Sequence, residues 1–263
     1  MRATAPARYR VGATSFVTPA GWLENARRLA GRVADVALLL CEDPRRPGCA
    51  PDAAEVDGLA ELARTTGLGY TVHAPCETSL ADADRGRRED AVAQVLHATE
   101  RVARLEPRAF VVHLDRPASA SGGAARWRED ARRSLDSLIA GGLSPDRICV
   151  ETLDARFDVV AEVVEAAGVA VALDLGHFAD APAEAERLVA RHLWHSPIIH
   201  WHGKVGPRDH RSLRHFPRAA ARRILGALHA ARWDGVLTLE VFGEEELADS
   251  LATLRELEGE VPT

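Results

Sequence analysis

A regular alternation constrains this chain more than any other feature: eight short β-rich runs, each followed by a stretch with helical periodicity. The runs cover residues 9–15, 33–42, 69–75, 109–115, 147–153, 169–175, 198–202 and 236–242. In the third intervening stretch Val92, Val95, Leu96, Thr99 and Val102 fall on one helical stripe, and in the fourth Trp127, Ala131, Leu135 and Leu138 do the same. Strands that alternate with helices pair in parallel, and eight such repeats close into a (β/α)8, or TIM, barrel. The length of 263 residues suits one such barrel, which needs about 250. No linker or composition shift interrupts the chain, so residues 1–263 read as a single catalytic domain. A doubly wound open sheet is the alternative. It would carry a glycine-rich phosphate loop after its first strand, and neither GxGxxG nor GxxxxGK[ST] occurs.

Composition narrows the function. The balance of 46% hydrophobic and 27% charged residues is that of a core-forming globular chain. A formal net charge of −6 gives no general attraction to nucleic acid, which is bound through clustered Lys and Arg. No run of 18 apolar residues is present to span a membrane, and residues 1–10 lack the apolar core of a secretory signal. Cys41, Cys49, Cys76 and Cys149 include no CxxC pair, and they read as reduced thiols of a cytoplasmic protein. The one low-complexity stretch, ASASGGAA at 118–125, reads as a flexible loop after the fourth strand.

Metal-type side chains fall at the ends of six consecutive runs. The third ends in YTVHAP with His73, the fourth in FVVHLD with His113, and the fifth in ICVETLD with Glu151. The sixth supplies Asp174 and His177 in LDLGH. The seventh, IIHWHG, supplies His200 and His202, followed by Asp209 and His210, and the eighth, VLTLEVF, carries Glu240. Period-two alternation puts Val236, Thr238 and Glu240 on one face, and likewise Ile198, His200 and His202. A single His at a strand end is ordinarily a hydrogen-bonded core residue, and a single carboxylate is ordinarily a helix cap. Recurrence changes that reading, because buried acids and imidazoles are costly unless paired or coordinated. A His-rich set with carboxylates suits Zn2+, Mn2+ or Fe2+. His202 reads equally as a ligand, a donor to a ligand or a substrate contact. His97, His192, His195, His215 and His229 lie away from the strand ends and take no role.

With these motifs the sequence resembles the xylose-isomerase-like barrels, which include endonuclease IV and sugar-phosphate isomerases and epimerases. Within them it is most similar to the cobamide-remodelling phosphodiesterases of the CbiR type. The similarity lies in GATSF, YTVHAP, FVVHLD, ICVETLD, LDLGH, IIHWHG…DHRSL and VLTLEVF, with DHRSL and LTLEVF the most discriminating. The resemblance implies two or three divalent metal ions held by His73, His113, Glu151, Asp174, His177, His200, Asp209 and Glu240, with Glu151 as the bridging carboxylate. His210 joins that set beside Asp209. The family has Asp-x-His after the seventh strand, and here Asp209-His210 has no spacer.

The activity implied is hydrolysis of the phosphodiester in the nucleotide loop of a corrinoid (a cobamide), giving cobinamide phosphate and an α-riboside. Glu151, Glu240 and Lys204 are the expected catalytic residues, with Lys204 also pairing with phosphate. Thr14, Ser15, Glu42 and His202 are the expected substrate contacts. A one-metal sugar-phosphate isomerase or epimerase is the alternative, with Glu151 and Glu240 shuttling a proton. A DNA-repair endonuclease and a non-catalytic corrinoid-binding protein rank lower.

Overall fold

The computed structural model describes residues 8–114, 124–153 and 157–261. The expected end of the fourth run at Asp115, and most of the 118–125 loop, lie outside them. Eight parallel strands close into a barrel in the order β1-β10-β7-β6-β5-β4-β3-β2. These strands are β1 (Arg10–Thr14), β2 (Asp35–Leu39), β3 (Gly69–His73), β4 (Phe110–Val112), β5 (Ile148–Glu151), β6 (Ala170–Asp174), β7 (Ile198–Trp201) and β10 (Val236–Leu239). A two-stranded antiparallel ribbon, β8 (Gly203–Val205) and β9 (Arg208–Arg211), follows β7. This ribbon lies outside the eight β-rich runs expected from the sequence. Its strands are too short to show alternation, and its turn rests on Gly206 at φ +57°.

The chain divides into two compact units, Met1–Ala37 with Ala172–Thr263, and Leu38–Val171. In the second unit, helix α2 (Ala53–Thr66) opens on a capping box between Asp52 and Glu55 and stops at Gly67 in the left-handed region. Helix α3 (Arg85–Val102) buries Ala91, Val95, Ala98 and Val102. The expected stripe is therefore rotated: Val92, Leu96 and Thr99 sit at its edge, because small alanines form the buried face. Helix α4 (Ala124–Ala140) buries Trp127, Ala131, Leu135 and Leu138, as its spacing predicts. In the first unit, Gly12 pairs with Thr238, Thr238 with His200, and His200 with Asp174. Paired residues on parallel strands face the same side, so this register fixes which side chains share a layer.

Candidate metal centre

In the unit Leu38–Val171, β3 ends on His73, β4 is followed by His113, and β5 ends on Glu151. His73 pairs in register with Val111, and Val111 with Cys149. Two residues further along each strand, His113 and Glu151 keep the same facing. The Glu151 Oε2 lies 3.2 Å from His73 Nε2 and 2.5 Å from His113 Nε2. The two imidazoles stand edge to face, with centroids 5.0 Å apart. His73 Nδ1 lies 2.7 Å from the Ala74 carbonyl, which only accepts, so that nitrogen carries the proton. Neutral His73 then turns its Nε2 lone pair toward a buried carboxylate. Two acceptors in that position need a cation between them, either a proton or a metal.

In the other unit, β6 ends on Asp174, and a short 3-10 turn (Gly176–Phe178) brings His177 back over it. The Asp174 Oδ1 accepts the His177 amide at 3.1 Å, fixing that turn. His177 faces carboxylates with both ring nitrogens: Nε2 is 3.3 Å from Asp174 Oδ2 and Nδ1 is 3.1 Å from Asp209 Oδ2. A neutral imidazole has one N–H, so one of these pairs needs a further cation, either a second ring proton or a metal. His202 is fully buried, with Nε2 3.5 Å from Asp174 Oδ1 and Nδ1 3.1 Å from Asp209 Oδ1. Burial works against its charge, but Asp174, the Gly203 carbonyl and Glu240 outweigh it and raise its pKa from 6.5 to about 9. His200 Nδ1 lies 3.4 Å from Glu240 Oε2. Ligand atoms of Asp174, His177 and His202 lie within 4.8 Å of one another, as do those of His202, His210 and Glu240.

Asp209 and His210 both turn toward this cluster although they are neighbours on β9. Adjacent strand residues ordinarily face opposite ways. Here His210 adopts φ +51°, which rotates it so that its Nδ1 sits 3.2 Å from the Glu240 carbonyl. That backbone conformation lets both neighbours face the cluster. Gly176 is the other local requirement: a Cβ there would lie 2.3 Å from the His202 ring.

The remaining expected residues are placed differently. Thr14 is fully buried, and its hydroxyl donates to the Val241 carbonyl at 2.9 Å, tying β1 to the segment after β10. Ser15 is also buried, with its amide on the Ala37 carbonyl at 2.9 Å. Glu42 is exposed beyond β2, 3.3 Å from Arg46 and 3.5 Å from the Cys49 thiol. The Lys204 ammonium is held by Asp180, which raises its pKa by direct hydrogen bonding. Phosphate pairing by Lys204 therefore requires Asp180 to release it. Sequence reasoning also passed over Cys76, whose ligand atom lies within 4.8 Å of those of His73 and His113. The His73-x-x-Cys76 spacing was the available signal.

A sequence profile for xylose isomerase-like TIM barrels matches residues 34–257. The chain belongs to this family. None of the curated proteins matches it. Among solved structures, it is similar to a D-tagatose 3-epimerase-like protein, at 18% identity over 96% of this chain and 98% of that one, with a TM-score of 0.75. It is also similar to endonuclease IV from Thermus thermophilus, at 24% identity over 96% and 100% of the two chains, with a TM-score of 0.72. D-psicose 3-epimerase from Clostridium cellulolyticum aligns at 17% identity over 95% and 98%, with a TM-score of 0.65. At these identities the likeness is one of fold, and family membership leaves the reaction open. Among the described residues, no helix is long and apolar enough to cross a membrane.

Proposed function

We propose that residues 1–263 form one catalytic domain, a metal-dependent phosphodiesterase that cleaves the nucleotide-loop phosphodiester of cobamides to cobinamide phosphate and an α-riboside. The observation that carries the reading is the doubled acceptor conflict. His73 and His113 crowd Glu151 in one unit, and His177 sits between Asp174 and Asp209 in the other. Each arrangement offers a place for a metal ion, and in two-metal sites such ions act together on a phosphate ester. Zn2+ suits these donors best, with Mn2+ and Fe2+ next. Such ions neutralise phosphate oxygens and lower the pKa of water near them.

The chain's own residues divide the remaining work. Glu151, fixed against two imidazoles, orients them and is the natural carboxylate to be shared. Glu240, on the same face of its run as Thr238, sets His200 through its Oε2. Lys204, once freed from Asp180, supplies a charge for the phosphate.

The substrate class is supported by exposed apolar side chains just beyond three of the strands. Phe16 follows β1, Val205 ends β8 and Phe242 follows β10, with exposures of 37%, 44% and 49%. A sugar would leave those surfaces wet, whereas a corrinoid or its lower base would cover them. Anaerobic incubation with an adenosylated cobamide should release cobinamide phosphate, detected by chromatography. No product with Zn2+, Mn2+ or Fe2+ restored would sink the reading. Phe242→Ala should raise KM for the cobamide by about tenfold, the effect of losing roughly 1.4 kcal/mol of aromatic contact. It should leave hydrolysis of bis(p-nitrophenyl) phosphate unchanged.

The competing reading is a one-metal sugar epimerase. It would show a single tightly held ion per chain and epimerise a ketohexose.

A further inference from the structure

We propose that Cys76 is a thiolate ligand of the ion held by His73 and His113, making this a sulfur-containing site selective for zinc. The inference rests on the metal reading above and extends it to a residue outside the expected ligand set. Cys76 lies three residues beyond His73, at the first central position of a tight turn. That turn is closed by the Thr78 amide, 3.1 Å from the Pro75 carbonyl, and by the Thr78 hydroxyl, 2.7 Å from the same oxygen. The turn reverses the chain as soon as β3 ends, so residue 76 returns toward the strand end instead of leaving it. The result is one ligand atom each from His73, Cys76 and His113, all within 4.8 Å of one another.

The other cysteines differ. None of the four is in a disulfide. Cys149 is buried within β5, and burial pushes its thiol pKa far up. Cys49 faces the Glu42 carboxylate, and burial followed by the nearby Glu77 and Glu42 raises the Cys41 thiol. Among the described residues, neither Cys41 nor Cys49 joins a group of ligand atoms. Cys76 alone among the four is placed with imidazoles.

The chemistry follows from donor softness. Two imidazoles hold Mn2+, Fe2+ or Zn2+ with modest discrimination. A thiolate added to them favours Zn2+ over the harder ions, and tetrahedral coordination then leaves one further position. Binding displaces the thiol proton to solvent, so the ion exchanges one S–H proton for one metal–sulfur bond. Cys76 is exposed, so the sulfur forms the solvent-facing side of the site.

Cobalt(II) substitution of the full-length protein tests this without reference to turnover. Wild-type protein loaded with Co2+ should show visible d–d bands together with a near-ultraviolet thiolate-to-cobalt charge-transfer band. Cys76→Ser should keep the d–d bands and lose the charge-transfer band, while Cys41→Ser and Cys49→Ser should keep both. In competition experiments, Cys76→Ser should lower zinc affinity by at least about tenfold and leave manganese affinity nearly unchanged. Wild-type d–d bands without charge transfer would overturn the role of Cys76 and leave the metal centre standing. A charge-transfer band that survives Cys76→Ser would overturn it equally. Absence of any Co2+ spectrum would overturn both this inference and the metal reading.

Discussion

Glu151→Gln is expected to abolish cobamide cleavage while the protein stays folded. The carboxylate oxygen that lies 2.5 Å from His113 and 3.2 Å from His73 is the only acid among the described residues that joins these two imidazoles. An amide keeps the volume, so the core around β5 need not repack. It removes the charge that a shared ligand must carry, and it offers an N–H where a lone pair is needed. Losing an outer partner of a metal ligand costs about 10–100-fold, so losing a ligand itself should exceed that. Circular dichroism and the thermal midpoint check the fold, and chromatographic product assays check turnover. Retained turnover in a folded variant would remove Glu151 from the centre of the chemistry.

The second large effect is a pH dependence that belongs to His202. Its folded pKa of about 9 stands above the ordinary 6.5. The folded protein thus binds this proton more tightly than the unfolded chain does. The stability gained is complete below about pH 6.5 and is lost as pH rises through about 9. A displacement of that size corresponds to roughly 3 kcal/mol. Metal-free protein should therefore melt progressively lower between pH 6.5 and 9. His202→Asn should start less stable and lose that slope. If an ion takes the place of that proton in metal-loaded protein, the slope should flatten, and zinc addition at pH 8 should release protons measurable in weakly buffered solution. A slope identical in wild type and His202→Asn would assign the dependence to other groups.

How much of this could be read from residues alone varies by position. Strand ends were legible to within two residues because the barrel strands are largely buried and β-rich: the runs expected to reach 75, 153 and 175 stop at His73, Glu151 and Asp174. The facing of Thr238 and His200 was legible because a strand's period of two survives burial. Other features depended on information that no pattern carries. Asp209 and His210 act on one cluster only because His210 takes a left-handed backbone. The β8–β9 ribbon is too short for alternation to reveal. Thr14 looks like a polar residue at an open strand end, yet its hydroxyl is spent on Val241, a residue 227 positions away. Lys204 looks like a phosphate ligand, yet Asp180 from the preceding crossover holds it. Cys76 looks like an isolated thiol until the turn at Pro75–Thr78 folds it back. In each case a contact distant in sequence, or a single backbone dihedral, decides the outcome.

The family assignment and the geometry bear on different questions. Membership of the xylose isomerase-like barrels explains why the strands close in this order. It does not choose a reaction, since the similar solved structures include both an epimerase-like protein and endonuclease IV. The number of ions held bears on that choice: a proton shuttle at a carbonyl needs one cation, and two would suit the separate groups around Glu151 and His177.

Elemental analysis of protein purified without chelator, normalised to chain concentration, weighs this most directly. Two or more equivalents of divalent metal per chain are expected, falling by about one in Glu151→Gln and by about one in His177→Ala. A metal-free protein whose fold and stability ignore added Zn2+, Mn2+ and Fe2+ would contradict it.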